Sequence, residues 1–254
     1  MIRLCNVSFS YDDKSIIKNI SLRLEKGKIY SVIGPNGSGK STLLKLIGKL
    51  RTCDGGNITL DGKDYGEYSR KAFARCVASL PQSRNIPMIR SWELVSHGRF
   101  PYLDGRRVLS KEDRLIVDRS LRLAGAEEFA LRSVSELSGG ERQKVYLSML
   151  YAQEAEYILL DEPTTFLDMS SKFGVMNTLT DMKEAGKCVV AVLHELSLAL
   201  KYSDEIIVLS HGEIVFSGTP KELVEGNILG DVFGIKAVCV TIDGSNEYII
   251  KEVG

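Results

Sequence analysis

The stretch "VIGPNGSGKST", residues 32–42, constrains this chain more than any other. It satisfies G-x-x-x-x-G-K-[ST] with Gly34, Gly39, Lys40 and Ser41 in register. Upstream, "KIYSV" reads as a short buried strand; downstream, "KSTLLKLIGKL" reads as a helix. A strand that must turn through glycines into a helix commits the chain to an α/β architecture. The glycines let the backbone direct its N–H groups inward, and the helix N-terminus adds partial positive charge, which together suit phosphate. Lys40 can reach the outer phosphates of a polyphosphate, and the Ser41 hydroxyl suits Mg²⁺. A glycine turn that merely starts a helix accounts for the glycines and leaves the Lys-Ser pair unexplained.

Elsewhere strand and helix patterns alternate. "IRLCNVSFSY" alternates from Ile2 to Phe9, "IIKNISLRLE" less strictly, and "GGNITLDGK" is a short strand between turns. "RKAFARCVASLPQ" passes from helix to strand, and residues 85–136 turn helical, with Ser110 as an N-cap. From "GERQKVYLSMLYAQ" onward, helices alternate with the strands "YILLD", "KCVVAVLH" and "DEIIVLS". "GEIVFSG" reads as a hairpin partner, and "VCVTIDG" with "NEYIIKEV" as a terminal hairpin. A mostly parallel sheet with a helical insertion follows. Over 254 residues, 33 Lys plus Arg balance 33 Asp plus Glu, so no global field recruits nucleic acid or an anionic membrane. The five cysteines are scattered without a CxxC pair, which argues against a zinc site or a disulfide framework and fits a reducing cytosol. The N-terminus lacks a signal-peptide layout, and no apolar run reaches the ~18 residues of a membrane span.

Two further segments carry chemistry. "YILLDEP" ends an apolar strand with Asp161 and Glu162 before Pro163. Asp161 is placed to support a metal, and Glu162 to polarise an attacking water. "ELSGGERQKVYLSML" opens a helix with Ser138, Gly139, Gly140 and Glu141. S-x-x-E is a capping box, which explains Ser138 and Glu141. Consecutive glycines weaken a first turn and make sense where something approaches the backbone closely, so capping and a second phosphate site remain compatible.

"LSGGE" before "YILLDEP", with the phosphate loop upstream, resembles the nucleotide-binding subunit of an ATP-binding cassette (ABC) transporter. The resemblance covers essentially the whole chain. It implies a P-loop NTPase (RecA-like) core, an inserted helical subdomain and an N-terminal antiparallel β subdomain. The expected single domain spans 1–254: core and β subdomain over 1–84 and 137–225, helical subdomain over 85–136, and a C-terminal extension over 226–254. ATP would be bound by Tyr11, matching the aromatic that stacks on adenine, and by Gly34, Pro35, Asn36, Gly37, Ser38, Gly39, Lys40, Ser41 and Thr42. Gln82 matches the glutamine that meets Mg²⁺ and the lytic water, and His194 the histidine that meets the γ-phosphate. Glu162, Gln82 and His194 are therefore the expected catalytic residues, with Ser41, Gln82 and Asp161 around Mg²⁺. Ser138, Gly139, Gly140 and Glu141 would cover the ATP of a second, head-to-tail copy, and Asp168 would lie at that dimer seam. Glu141 replaces a commoner glutamine, and Phe166 stands where a small residue is frequent.

The stretches "HGRFPYL", "DEPTTFLD" and "ILGDVFGI" resemble subunits that energise uptake of iron-siderophores, haem or cobalamin. That implies a polytopic membrane permease as partner, a substrate-binding protein indirectly, no nucleic acid, and a peripheral position on the cytoplasmic face of the membrane. Another ABC transporter, or a soluble ABC ATPase switch, is the alternative. "GRFPYLDGRR", residues 98–107, is expected to act at or beside the groove that grips the permease, presenting Phe100 and Tyr102 next to Arg99. A plain structural loop is the competing account.

Overall fold

The computed structural model describes residues 1–82, 86–103, 108–242 and 245–252. It opens with β1 (Ile2–Tyr11), β2 (Lys14–Leu24) and β3 (Ile29–Ile33), followed by α1 (Lys40–Ile47). Next come β4 (Gly55–Leu60), β5 (Lys63–Asp64), α2 (Arg70–Cys76) and β6 (Val77–Leu80). α3 (Ser91–Ser96), a 3₁₀ turn over His97–Tyr102, and α4 (Lys111–Leu123) form the helical stretch. The chain continues through α5 (Gly139–Gln153), β7 (Tyr157–Asp161), α6 (Met169–Glu184), β8 (Cys188–Val192), α7 (Leu196–Tyr202), β9 (Glu205–Ser210) and β10 (Glu213–Gly218). It ends with α8 (Pro220–Glu225), α9 (Ile228–Phe233), β11 (Ile235–Ile242) and β12 (Ser245–Glu252).

Three sheets result: β2-β1-β4-β5, antiparallel; β10-β9-β3-β8-β7-β6, parallel except for β10; and the hairpin β11-β12. The central strands β3, β7 and β8 are buried at every position, because both faces of the sheet are covered. Their side chains still sort by alternation. Tyr30, Val32, Tyr157 and Leu159 join α1 and the antiparallel sheet in one core. Ile29, Ile33, Ile158 and Leu160 join α5, α6 and the helical stretch in the other. The sequence suggested alternation from Ile2 to Phe9, but in β1 that alternation is broken. Strict phase from Ile2 would turn Asn6 inward; instead the ladder shifts between Leu4 and Val7, with Asn6 at φ +50. That irregularity resets the phase so that Val7 and Phe9 face the core.

Ser110 caps α4 as expected: its Oγ accepts from Asp113 N at 3.0 Å. α3 and α4 pack on α5, and β12 packs on α7, where Lys201 pairs with Glu247.

The stretch at 98–103 departs from expectation. Arg99 is turned inward at 5% exposure. Its Nε meets Asp113 at 2.9 Å, and one guanidinium nitrogen donates to Ala152 O at 2.8 Å and meets Glu154 at 2.7 Å. Its guanidinium carbon lies 4.0 Å from the Tyr102 ring centroid, and Tyr102 Oη donates to Gln153 O at 3.0 Å. Gly98 is required because a Cβ there would sit 2.5 Å from Met149 O. Arg99 and Tyr102 thus tie the 3₁₀ turn to the end of α5, with Arg99 buried and Tyr102 partly buried on the wall of an open groove, while Phe100 is half exposed. Arg106 and Arg107 lie outside the described residues.

Candidate active site

In the parallel sheet, β6, β7, β8 and β3 are neighbours with the same direction, so the loops at their carboxyl ends emerge side by side. Residues 34–42, 82, 161–162 and 194 are thereby gathered at one rim, where ligands of open α/β sheets bind.

The loop after β3 is shaped by close backbone approach. Gly34 has φ +154, and a Cβ there would fall 2.0 Å from Leu209 O on β9, so only glycine fits. Lys40 is buried, and its Nζ donates to Gly34 O at 2.8 Å and Pro35 O at 2.9 Å. No carboxylate pairs with it among the described residues. Burial pushes its pKa below the ordinary lysine value, while Glu162 and Asp161 partly oppose that shift. Ser38 Oγ is buried without a hydrogen-bond partner. No side chain caps α1 and no acid sits in its first turn, whereas α4, α5 and α8 each carry a capping box. An unpaired cation, an orphaned hydroxyl and an uncapped helix end converge on one place. A polyanion satisfies all three.

Opposite lies the acidic pair. Ser41 Oγ donates to Asp161 Oδ1 at 3.0 Å. Burial raises the Asp161 carboxyl above its ordinary range and the Glu162 charge adds to this, while the Ser41 bond and Lys45 and Lys40 hold it down. Two carboxyl groups beside a hydroxyl, with burial penalising the charge of Asp161, suit a hard divalent cation. Glu162 adopts φ +54, a left-handed conformation uncommon outside glycine, and its N–H donates to Val192 O at 3.2 Å. Its carboxylate is held on both oxygens. Oε2 accepts from Gln82 Nε2 at 2.6 Å and Thr165 Oγ1 at 3.1 Å, and Oε1 lies 2.5 Å from His194 Nε2. Thr165 escaped sequence reading; its spacing of three from Glu162 was the available signal.

A cleft of about 290 Å³ is lined by Asn36, Gly37, Gly39, Lys40, Ser41 and Thr42, by Glu162 and His194, and by Lys14 and Ile16. The last two were also missed. Tyr11 does not line it. Its ring stands edge-on to Phe9 with centroids 4.8 Å apart, and the Arg51 guanidinium lies 5.8 Å from its centre. Ser138, Gly139, Gly140, Glu141 and Asp168 lie outside the cleft as well. Ser138 Oγ accepts from Glu141 N at 3.3 Å, and the Glu141 carboxylate accepts from Ser138 N at 2.8 Å, completing a capping box. What approaches Gly140 is Ser171 of α6: a Cβ at Gly140 would meet Ser171 Oγ at 2.4 Å. Asp168 caps α6, accepting from Ser171 N at 2.9 Å and Ser171 Oγ at 2.8 Å. The glycine turn and the aspartate loop are therefore one packed unit within the chain. Beside it, Phe166 is almost wholly exposed at 99%, on a left-handed backbone.

The family model described as "ABC transporter" matches residues 17–165, more than half of the sequence. The chain belongs to the ABC transporter ATPase family. Among its ABC relatives, the petrobactin import ATP-binding protein of Bacillus subtilis (strain 168) is 38% identical over 245 residues, covering 96% of each chain. The iron(3+)-hydroxamate import ATP-binding protein of the same organism is 38% identical, covering 95% of this chain and 90% of its own. The ferric enterobactin transport ATP-binding protein of Escherichia coli (strain K12) is 36% identical, covering 93% and 88%. The dimeric structure of a bacterial ABC transporter cassette is similar at a TM-score of 0.77 and 30% identity, covering 87% of this chain and 99% of that one. A nucleotide-free ATP-binding cassette from an ABC transporter shares the fold at a TM-score of 0.82 and 21% identity, covering 91% and 95%. The P-loop NTPase core with its antiparallel β subdomain is the ABC cassette fold, and the protein is an ATP-binding ATPase.

Proposed function

We propose that this chain is the ATP-hydrolysing subunit of an importer of iron chelates of the siderophore class. Its similarity to import subunits named for petrobactin, hydroxamate and enterobactin iron complexes, at 36–38% identity over nearly the full length, supports the substrate class. No helix among the described residues is long and apolar enough to cross a membrane. In this reading a polytopic permease supplies the membrane path, the chain sits peripherally on its cytoplasmic face, and a substrate-binding protein delivers the chelate, as the import subunits it resembles suggest.

The observation that carries the catalytic assignment is the Glu162 carboxylate, fixed by Gln82, Thr165 and His194 on the rim shared with Lys40. ATP lies with its phosphates on the backbone N–H groups of residues 36–42, and Lys40 exchanges its two carbonyl acceptors for phosphate oxygens. Glu162 accepts a proton from the attacking water, and His194, exposed at the cleft, donates toward the γ-phosphate. Ser41, Gln82 and Asp161 would hold Mg²⁺, which when bound supplies positive charge to the phosphate oxygens. Tyr11 moves from its edge-on packing to stack on adenine. A second copy, docked head to tail, brings Ser138, Gly139, Gly140 and Glu141 over the nucleotide, with Asp168 at the seam. The exposed Ser138 turn and Phe166 are available for that contact. Loss of the γ-phosphate removes what joins the two copies and lets them reopen.

Reconstitution in vesicles with its permease tests the substrate class. Hydrolysis should rise when the binding protein carries a ferric siderophore. Stimulation by haem or cobalamin alone would move the class, and no stimulation by any of the three would sink the importer assignment.

A further inference from the structure

We infer that Lys14 is a second nucleotide-binding cation of this chain, reaching the phosphates of ATP from the tip of the β1–β2 hairpin. The inference rests on the cleft being the nucleotide site. Lys14 pairs with Tyr11 across a two-residue turn, Asp12 and Asp13, so both side chains stand at the hairpin tip. They differ in direction. Tyr11 packs on Phe9 and under Arg51, outside the cleft, whereas Lys14 lines it. The turn acids Asp12 and Asp13 do not line it, so Lys14 is the charged side chain of the tip that borders the cleft.

The charged and titratable groups facing the cleft are Lys14, Lys40, Glu162 and His194. Glu162 and His194 are occupied with each other, and Lys40 is tied to two backbone carbonyls. The Lys14 ammonium is exposed and has no hydrogen-bond or ion-pair partner among the described residues. A free ammonium on the wall of an anion cradle gains a partner only when the anion arrives, so its energy is realised in binding and not in folding. Ile16, half buried on the same wall, packs against the loop: its carbonyl oxygen would lie 3.0 Å from a Cβ at Gly39. The strand carrying Lys14 is thereby held against the phosphate loop, which fixes where the flexible lysine starts its reach. An exposed charge in water contributes modestly, and salt screens it.

Equilibrium binding of ATP to the full chain decides this, with Glu162→Gln in every protein to suppress turnover. Lys14→Ala should weaken ATP binding roughly threefold to tenfold, and Lys14→Arg should restore it to within about twofold. The deficit should shrink as salt is raised through about 1 M, where the screening length falls to about 3 Å. Native-like affinity in Lys14→Ala would overturn the inference, and a loss that Arg does not restore would overturn its charge basis. Lys40→Ala in parallel separates the two levels. If Lys40→Ala loses ATP while Lys14→Ala keeps it, only the Lys14 inference fails. If both bind as the parent does, the assignment of the cleft itself fails.

Discussion

Lys40 and Arg99 are both buried cations, and their surroundings could hardly differ more. Arg99 has Asp113, Glu154, Ala152 O and the Tyr102 face, so every side of its guanidinium is answered within the chain. Lys40 has two carbonyl oxygens and an orphaned Ser38 hydroxyl nearby in the same loop. A buried charge that is fully paired holds structure together. One left with weak acceptors is carried at a cost, because an external anion repays it. The contrast separates a fastening from a binding site without reference to either segment's position in the chain.

The largest test of the comparison lies on the catalytic side. Glu162→Gln should retain ATP affinity, hold the dimer closed and cut turnover about 10²–10⁴-fold, read by phosphate release alongside nucleotide binding. Undiminished turnover would remove Glu162 as the base.

On the structural side, Arg99→Ala leaves Asp113 without its cation and should cost about 3 kcal/mol of stability, measured by urea unfolding. Arg99→Met, which keeps the packing volume, should cost less. Equal stability of Arg99→Ala and the parent would show that the buried Arg99 cluster does not fasten the 3₁₀ turn.

Lys40→Ala should do the reverse. ATP affinity should fall roughly tenfold or more, while the apo protein unfolds at the same denaturant concentration or slightly higher, since an uncompensated ammonium has been removed.

The smallest effects are in pH. Burial alone raises the Asp113 carboxyl, but the Ser110 and Arg99 bonds outweigh it and hold the group below its ordinary value. Its stabilisation is therefore present above the ordinary Asp pKa of about 4 and lost as pH falls through the lower folded value. Lys40 has the opposite sign. Its folded pKa is lowered, so the unfolded chain binds more protons between the two values, and apo stability rises with pH there. Comparing unfolding against pH for Arg99→Ala and Lys40→Ala should flatten the acid limb in one and the alkaline limb in the other.

Much of this protein is written in local spacing. The phosphate loop needs its glycines, lysine and serine within a few residues, because one turn must point consecutive N–H groups at one anion. Asp161 and Glu162 follow a strand directly, and the Ser110 and Ser138 caps act over three residues. All of these could be read from the sequence, since the chain positions where they interact are neighbours. Contacts between distant segments could not. Only the tertiary structure decided that Arg99 meets Glu154, that Gly140 makes room for Ser171, and that Lys14 lines the cleft while Tyr11 does not. Only the strand order brought Gln82 and His194 onto opposite oxygens of Glu162. Sequence specifies which groups a residue can bond, and packing chooses which of them come within reach.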